Sequence, residues 1–136
     1  MTTATWSDAL VTGIADIDRY HQHLFAVVEE LRFASQGGTQ RALTGDLLER
    51  LLAGTMEHFA EEEAEMATAG YPDLEIHHAA HEAFSDEVAR LFQAAVNGEL
   101  VATPTVLAMA KRLVDHVLTH DRLLAAYLRP RQAATA

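Results

Sequence analysis

Residues 73–92 read DLEIHHAAHEAFSDEVARLF, and the fold follows from how this stretch is read. Ile76, Phe84, Val88, Leu91 and Phe92 recur at the spacing of one face of an α-helix. Asp73 stands where an N-cap belongs, and Asn97-Gly98 beyond the last apolar position is a helix stop. His77 and His81 sit on this helix four residues apart, about 400° of rotation, so the two imidazoles share one face.

The same period continues on both sides. Upstream, Gly70-Tyr71-Pro72 terminates a helix that opens on Leu43, Leu47, Leu48, Leu51, Leu52 and Met56. Before it, Ile17, Leu24, Val28 and Leu31 mark a first helix, closed by Gly37-Gly38. Downstream, Thr103-Pro104 reads as a cap followed by a first-turn proline. Leu107, Leu113, Val117, Leu124 and Leu128 then carry a fourth helix to Pro130. The helices are expected at about 17–37, 40–69, 73–97 and 103–128, after an irregular arm over 1–16 in which Trp6 is the anchor. Short connections between long helices force neighbours to run antiparallel. The expected fold is an all-α, antiparallel up-down-up-down four-helix bundle, one domain over residues 1–136.

Composition narrows the function. The chain has no cysteine, which excludes disulfides, iron–sulfur clusters and thiolate-ligated haem. A formal charge of −10 with ten scattered basic residues argues against nucleic acid and anionic membranes as partners. Charged residues interrupt every apolar run before it reaches membrane-spanning length. Met1 to Tyr20 lacks the basic-then-apolar order of a signal peptide, so a cytoplasmic protein is expected. No oligomer interface declares itself, and a monomer is expected.

Eight histidines in so acidic a chain are unusual, and most stand near carboxylates. His21 lies early on helix one, His58 and Glu62 four apart on helix two, and His77 and His81 on helix three. His116 lies on helix four, with His120 and Asp121 after it. A single histidine on a helix is ordinarily a surface or core residue, and Glu61, Glu62, Glu63 and Glu65 alone would read as a solvated face. The conjunction reads differently. In an up-down bundle, the start of helix one, the end of helix two, the start of helix three and the end of helix four share one end. His21, Glu62, His77 and His116 can therefore lie in one layer. So many imidazoles with carboxylates exceed the need of one tetrahedral zinc and point to two metals, of which iron is the natural choice. On helix four, spacing favours His120 as partner of His116. Asp121 is five residues on, about 140° around an α-helix.

Several stretches resemble the bacterial hemerythrins: Trp6; Ile17 to Phe25 (IDRYHQHLF); His58 to Glu63 (HFAEEE) with Met66; Tyr71-Pro72; His77 and His81 with Phe84; and His116-Val117 with Asp121. The match runs from Trp6 to about Leu128. The resemblance implies that His77, His81 and His116 bind one iron and His21 and His58 the other. Glu62 and Asp121 would bridge them together with an oxo or hydroxo group. The second iron would lack one ligand, and dioxygen would bind there. The family pattern thus selects Asp121 where spacing selects His120, leaving His23, His78 and His120 spare. Phe25, Phe59, Phe84 and Val117 are the candidate pocket lining that keeps water out. The family's usual Trp, four residues before the last histidine, is Arg112 here, which puts the local packing in question. The implied function is reversible dioxygen binding, for storage, transport or delivery, with no catalytic residues and no enzymatic turnover.

Two other functions use the same architecture. A sensor would need a separate partner to transmit its signal. A ferritin-like iron oxidase wants Glu-x-x-His on two helices, and only Glu75 with His78 fits, Asp18 with His21 being a weak imitation.

Overall fold

The computed structural model describes residues 6–36 and 41–135, with side chains described for 6–36 and 43–131. Four long helical rods make up nearly all of it: α1 (Ala15–Gln36), α2 (Arg41–Ala69), α3 (Leu74–Val96), and a fourth that begins as α4 (Thr103–His116). The fourth rod continues through a π-helical turn, Val117–Asp121, into α5 (Arg122–Thr135). Helical dihedrals at both joints, φ −62° and ψ −46° at Val117 and φ −66° and ψ −40° at Arg122, keep the rod unbroken. The rods close a ring: α1 packs on α2 and α4, α2 on α3, and α3 on α4. This is the expected four-helix bundle. Among the described residues, no helix is long and apolar enough to cross a membrane.

The ends of the helices follow the sequence with three differences. Gly70, at φ +69°, ends α2 in a left-handed conformation that suits glycine, and the Tyr127 hydroxyl donates to the exposed carbonyls of Ala69 (2.8 Å) and Gly70 (3.2 Å). Asp73 occupies the N-cap of α3, but its side chain makes no capping bond; its carbonyl takes the His77 N–H instead. Thr103 is not a cap, because Ala102 holds that position and the helix has already begun at Thr103. Pro130 lies inside α5 rather than ending it. The Gly37-Gly38 stop falls outside the described residues.

The arm is less irregular than its sequence implies. Asp8–Leu10 form a short 3₁₀ turn, and the Asp18 carboxylate of α1 accepts from Thr12 N (2.8 Å), Thr12 Oγ1 (2.8 Å) and Gly13 N (3.2 Å). Gly13 turns at φ +88°, where a Cβ would also stand 3.0 Å from Arg129 Cδ. The Trp6 ring packs on His21 and Phe25, at 6.2 and 6.1 Å between centroids.

Two apolar clusters fill the bundle. The larger holds Leu24, Val28, Leu31, Leu48, Phe59, Phe84, Val88, Leu113 and Val117 among others. The smaller, at the arm end, holds Ile14, Ile17, Met66, Tyr71, Leu124, Ala125 and Leu128. Four residues expected in the core face water instead: Leu43, Met56, Ile76 and Leu107. In α3 the buried stripe is His77, His81, Phe84 and Val88, and Ile76 is one step, about 100°, off it. In α4, Val106 takes the inward position and turns Leu107 out for the same reason.

Candidate metal centre

Along each rod the sequence passes from one apolar cluster to the other through a polar step. On α1 it is His21, between Ile17 and Leu24; on α2 it is His58 and Glu62, ahead of Met66. On α3 it is His77 and His81, and on the fourth rod His116 and Asp121. These seven side chains meet in a single layer between the clusters, with exposures from 1% (His21, His77, Asp121) to 7% (His116). Such burial of polar groups is costly unless something satisfies them.

Protein groups do not. Apart from Thr55 Oγ1 and Glu87 Oε1, every buried side-chain nitrogen or oxygen lacking a hydrogen-bond partner among the described residues belongs to one of these seven. Ring nitrogens and carboxylate oxygens crowd together without hydrogen-bonding geometry, the arrangement that donors to a cation adopt. His77 Nε2 is 3.0 Å from Glu62 Oε1 and 2.9 Å from Asp121 Oδ1. His81 Nε2 is 3.0 Å from Glu62 Oε1, and His116 Nε2 is 3.2 Å from Asp121 Oδ1. The second oxygens turn the other way: Glu62 Oε2 lies 3.7 Å from His58 Nε2, and Asp121 Oδ2 lies 2.8 Å from His21 Nε2. Both carboxylates therefore face two histidine groups at once, one oxygen to each. Two sets of potential metal donors result: Glu62, His77, His81, His116 and Asp121 in one, and His21, His58 and Glu62 in the other. The donor chemistry, imidazole with carboxylate and no thiolate, suits first-row transition metals, iron among them.

The π-helical turn places Asp121. Hydrogen bonds that reach one residue further widen the turn, so residues five apart come to the same face. His116 and Asp121 both point inward, while His120 is displaced to the edge of the layer, its ring 5.3 Å from that of His116 and 5.6 Å from that of His77. Spacing alone favours the residue that this turn moves aside. His23 is exposed, as is His78. The single Glu-x-x-His pair, Glu75 and His78, lies outside the cluster on the surface.

Without metal, electrostatics within the layer are opposed. Burial, reinforced by His21, pulls His58 down to about 4 against the attraction of Glu62. Burial also resists charge on His77, but Asp121 and Glu62 outweigh it and raise that imidazole to about 9. Burial works against ionising Asp121 as well, and His116, His21 and His77 overcome it to hold the carboxyl well below its usual range.

The four candidate lining residues are all buried, but they sit in different places. Phe59 stacks on His81, with centroids 3.7 Å apart and planes 7° from parallel. Phe84 meets the edge of Phe59, Phe25 lies under Trp6, and Val117 follows His116 in the π turn. Two neighbours escape a reading by sequence. Tyr20 covers His58 at 4.2 Å between centroids, and Glu63 accepts from His81 Nδ1 at 2.7 Å. A cleft of about 210 Å3 reaches His58 and Glu62 past Tyr20. Another of about 400 Å3 reaches His116 and His120 beside Phe84. Arg112 lies along this second cleft, its exposed guanidinium paired with Glu87, in the position where the resemblance expects an indole.

A family model, the hemerythrin HHE cation binding domain, matches residues 12–128. The chain belongs to the hemerythrin family. It is 34% identical over 128 residues to the bacteriohemerythrin of Stenotrophomonas maltophilia, covering 92% of this chain and 81% of that one. It is 30% identical over 125 residues to the bacteriohemerythrin of Methylococcus capsulatus, covering 90% and 95%. Among solved structures, a wild-type hemerythrin superposes with a TM-score of 0.84 at 30% identity, over 91% of this chain and 96% of that one. A point mutant of hemerythrin gives 0.86 at 29%, over 94% and 98%. Hemerythrin membership and the buried histidine–carboxylate cluster together indicate a metal-binding bundle.

Proposed function

We propose that this hemerythrin binds dioxygen reversibly at a di-iron centre. The observation that carries the reading is the division of the Glu62 and Asp121 oxygens between two sets of histidines. Two carboxylates that each turn one oxygen to either histidine group are what two adjacent ions sharing both carboxylates would require. On this reading His77, His81 and His116 would hold one iron, His21 and His58 would hold the other, and Glu62 and Asp121 would be shared by both. The first set brings three imidazoles and the second two, so the position left for a ligand is on the His21 and His58 side. A ferrous pair supplies, when bound, the electrons that dioxygen capture requires.

The protein's part is to position and to exclude. Neutral imidazoles donate less negative charge than carboxylates, so this set supports high-valent iron less well than a ferritin-like one. Phe25, Phe59, Phe84 and Val117 surround much of the layer with apolar surface and limit the entry of water and protons to the clefts beside Tyr20 and Phe84. The function is thus binding rather than turnover. The test is the absorption spectrum of iron-loaded protein, anaerobic, after air, and after oxygen is removed again. Two irons per chain and bands that appear and then vanish are expected; one ion per chain, or a change that oxygen removal does not reverse, overturns the proposal.

A further inference from the structure

Three of the buried imidazoles, His21, His58 and His77, have no hydrogen-bond partner for Nδ1 among the described residues. His81 differs. Its Nδ1 stands 2.7 Å from Glu63 Oε2, across the interface of α2 and α3, while its Nε2 points into the layer. A carboxylate can only accept, so this contact puts the His81 proton on Nδ1 and leaves the Nε2 lone pair free. Glu63 is itself held. Its other oxygen, Oε1, is 2.6 Å from His78 Nδ1, and His78 Nε2 is 3.5 Å from Glu82 Oε1. The carboxylate thus sits between one imidazole that is 2% exposed and another that is 47% exposed, each taking one oxygen. Phe59 lies flat on His81 from the side and blocks tilting of the ring. Phe59 confines the ring plane and Glu63 fixes its rotation and tautomer.

We infer that Glu63, next in sequence to the inward-facing Glu62, is a positioning residue that sets His81 in the orientation and protonation needed to donate Nε2 to the three-histidine ion. The inference rests on the di-iron reading above. It assigns a role to a residue that would otherwise count as part of a solvated acidic run. It also makes the two ions unlike: a histidine of the three-histidine set is backed by a carboxylate, whereas the far nitrogens of His21 and His58 are not. Carboxylates placed this way raise the donor strength of the ring, and their loss commonly weakens metal binding about 10–100-fold.

The test uses the full chain as wild type, E63Q and E63A. Each is loaded with ferrous iron and challenged with increasing concentrations of an iron chelator, with iron per chain and the ferric absorption bands recorded. Urea denaturation of the metal-free forms runs in parallel. E63A is expected to release iron at a chelator concentration about 10–100-fold lower, with shifted bands and a lower metal-free urea midpoint, because the buried His81 Nδ1 loses its acceptor. In E63Q the amide oxygen still accepts from His81, so retention should recover most of the way. Equal retention in wild type and E63A, an equal loss in E63Q and E63A, or ferric bands in E63A that match those of wild type would each overturn the role of Glu63 while leaving the di-iron reading in place. A wild-type chain that takes up no iron overturns the reading and the inference together.

Discussion

Replacing His58 by leucine should make the metal-free protein more stable while destroying the centre. Both ring nitrogens of His58 are buried and have no hydrogen-bond partner among the described residues. Each such atom costs about 1–3 kcal/mol, and only a metal can recover that cost here. Leucine has a similar volume, and an apolar swap of similar size costs less than about 1.5 kcal/mol in repacking. The net expectation near pH 7.5 is a gain of about 2 kcal/mol. The gain should also depend on pH. The folded chain holds His58 at about 4, below its ordinary 6.5. As pH falls through 6.5 the unfolded chain takes up this proton and the folded chain does not, so His58 costs wild type increasing stability until pH nears 4. At pH 5 that loss is about 2 kcal/mol, and the leucine variant escapes it. His120, which burial also lowers, and His77, raised to about 9, add slopes of opposite sign that both proteins share, so the difference between them isolates His58. Urea denaturation of chelated wild type and H58L at pH 7.5 and pH 5, followed by far-ultraviolet circular dichroism, measures both effects. A variant less stable than wild type at pH 7.5, or an advantage that does not grow toward pH 5, would refute the view that His58 is retained for a ligand and not for the fold.

Iron loading should raise the melting temperature clearly above that of chelated protein in calorimetry, because metal would satisfy a layer that nothing else does; equal melting temperatures would count against a buried centre. Leu48→Ala, in the larger apolar cluster, should cost about 2–5 kcal/mol in urea denaturation and leave iron per chain unchanged, separating damage to the fold from damage to the site. Val117→Thr keeps the shape of a fully buried side chain but adds a hydroxyl beside His116. The oxygenated form should then oxidise faster, and a lifetime equal to wild type would show that dryness at this position does not protect it.

The sequence discloses helices better than faces. On α1, Ile17, Leu24, Val28 and Leu31 are all buried as their spacing demands, and the apolar residues beside them, Phe25 and Val27, are buried too, so no neighbour there takes the inward place of an expected one. On α3 and α4 a competitor does: Ile76 adjoins His77, and Leu107 adjoins Val106. Hydrophobicity favours the larger side chain while packing buries the other. At the metal centre this ambiguity is sharper. Glu61, Glu62 and Glu63 are chemically identical, yet Glu61 is exposed, Glu62 is buried among histidines, and Glu63 is half-buried against His78 and His81. Each step turns the side chain about 100°, so their roles are set by what α3 presents opposite, and α3 is remote in the chain.

The π turn shows why one ligand choice was hidden from spacing. Val117, Asp121, Leu124 and Leu128 follow one another at ordinary helical intervals, so the apolar pattern of the fourth rod gives no sign of an extra residue. Only the interval from His116 to Asp121 does, and it looks like a reason to discard Asp121. A regular α-helix would bring His120 beneath His116 and offer the layer a single nitrogen. On the di-iron reading that is not enough, because spanning two ions opposite Glu62 takes a side chain with two equivalent donor atoms. π-helical turns are rare, well under about 1% of residues, and they gather at functional sites. Here the widened turn exchanges an imidazole for a carboxylate without disturbing the apolar stripe on either side. A departure from regular helix at that one place is what a bridging requirement predicts.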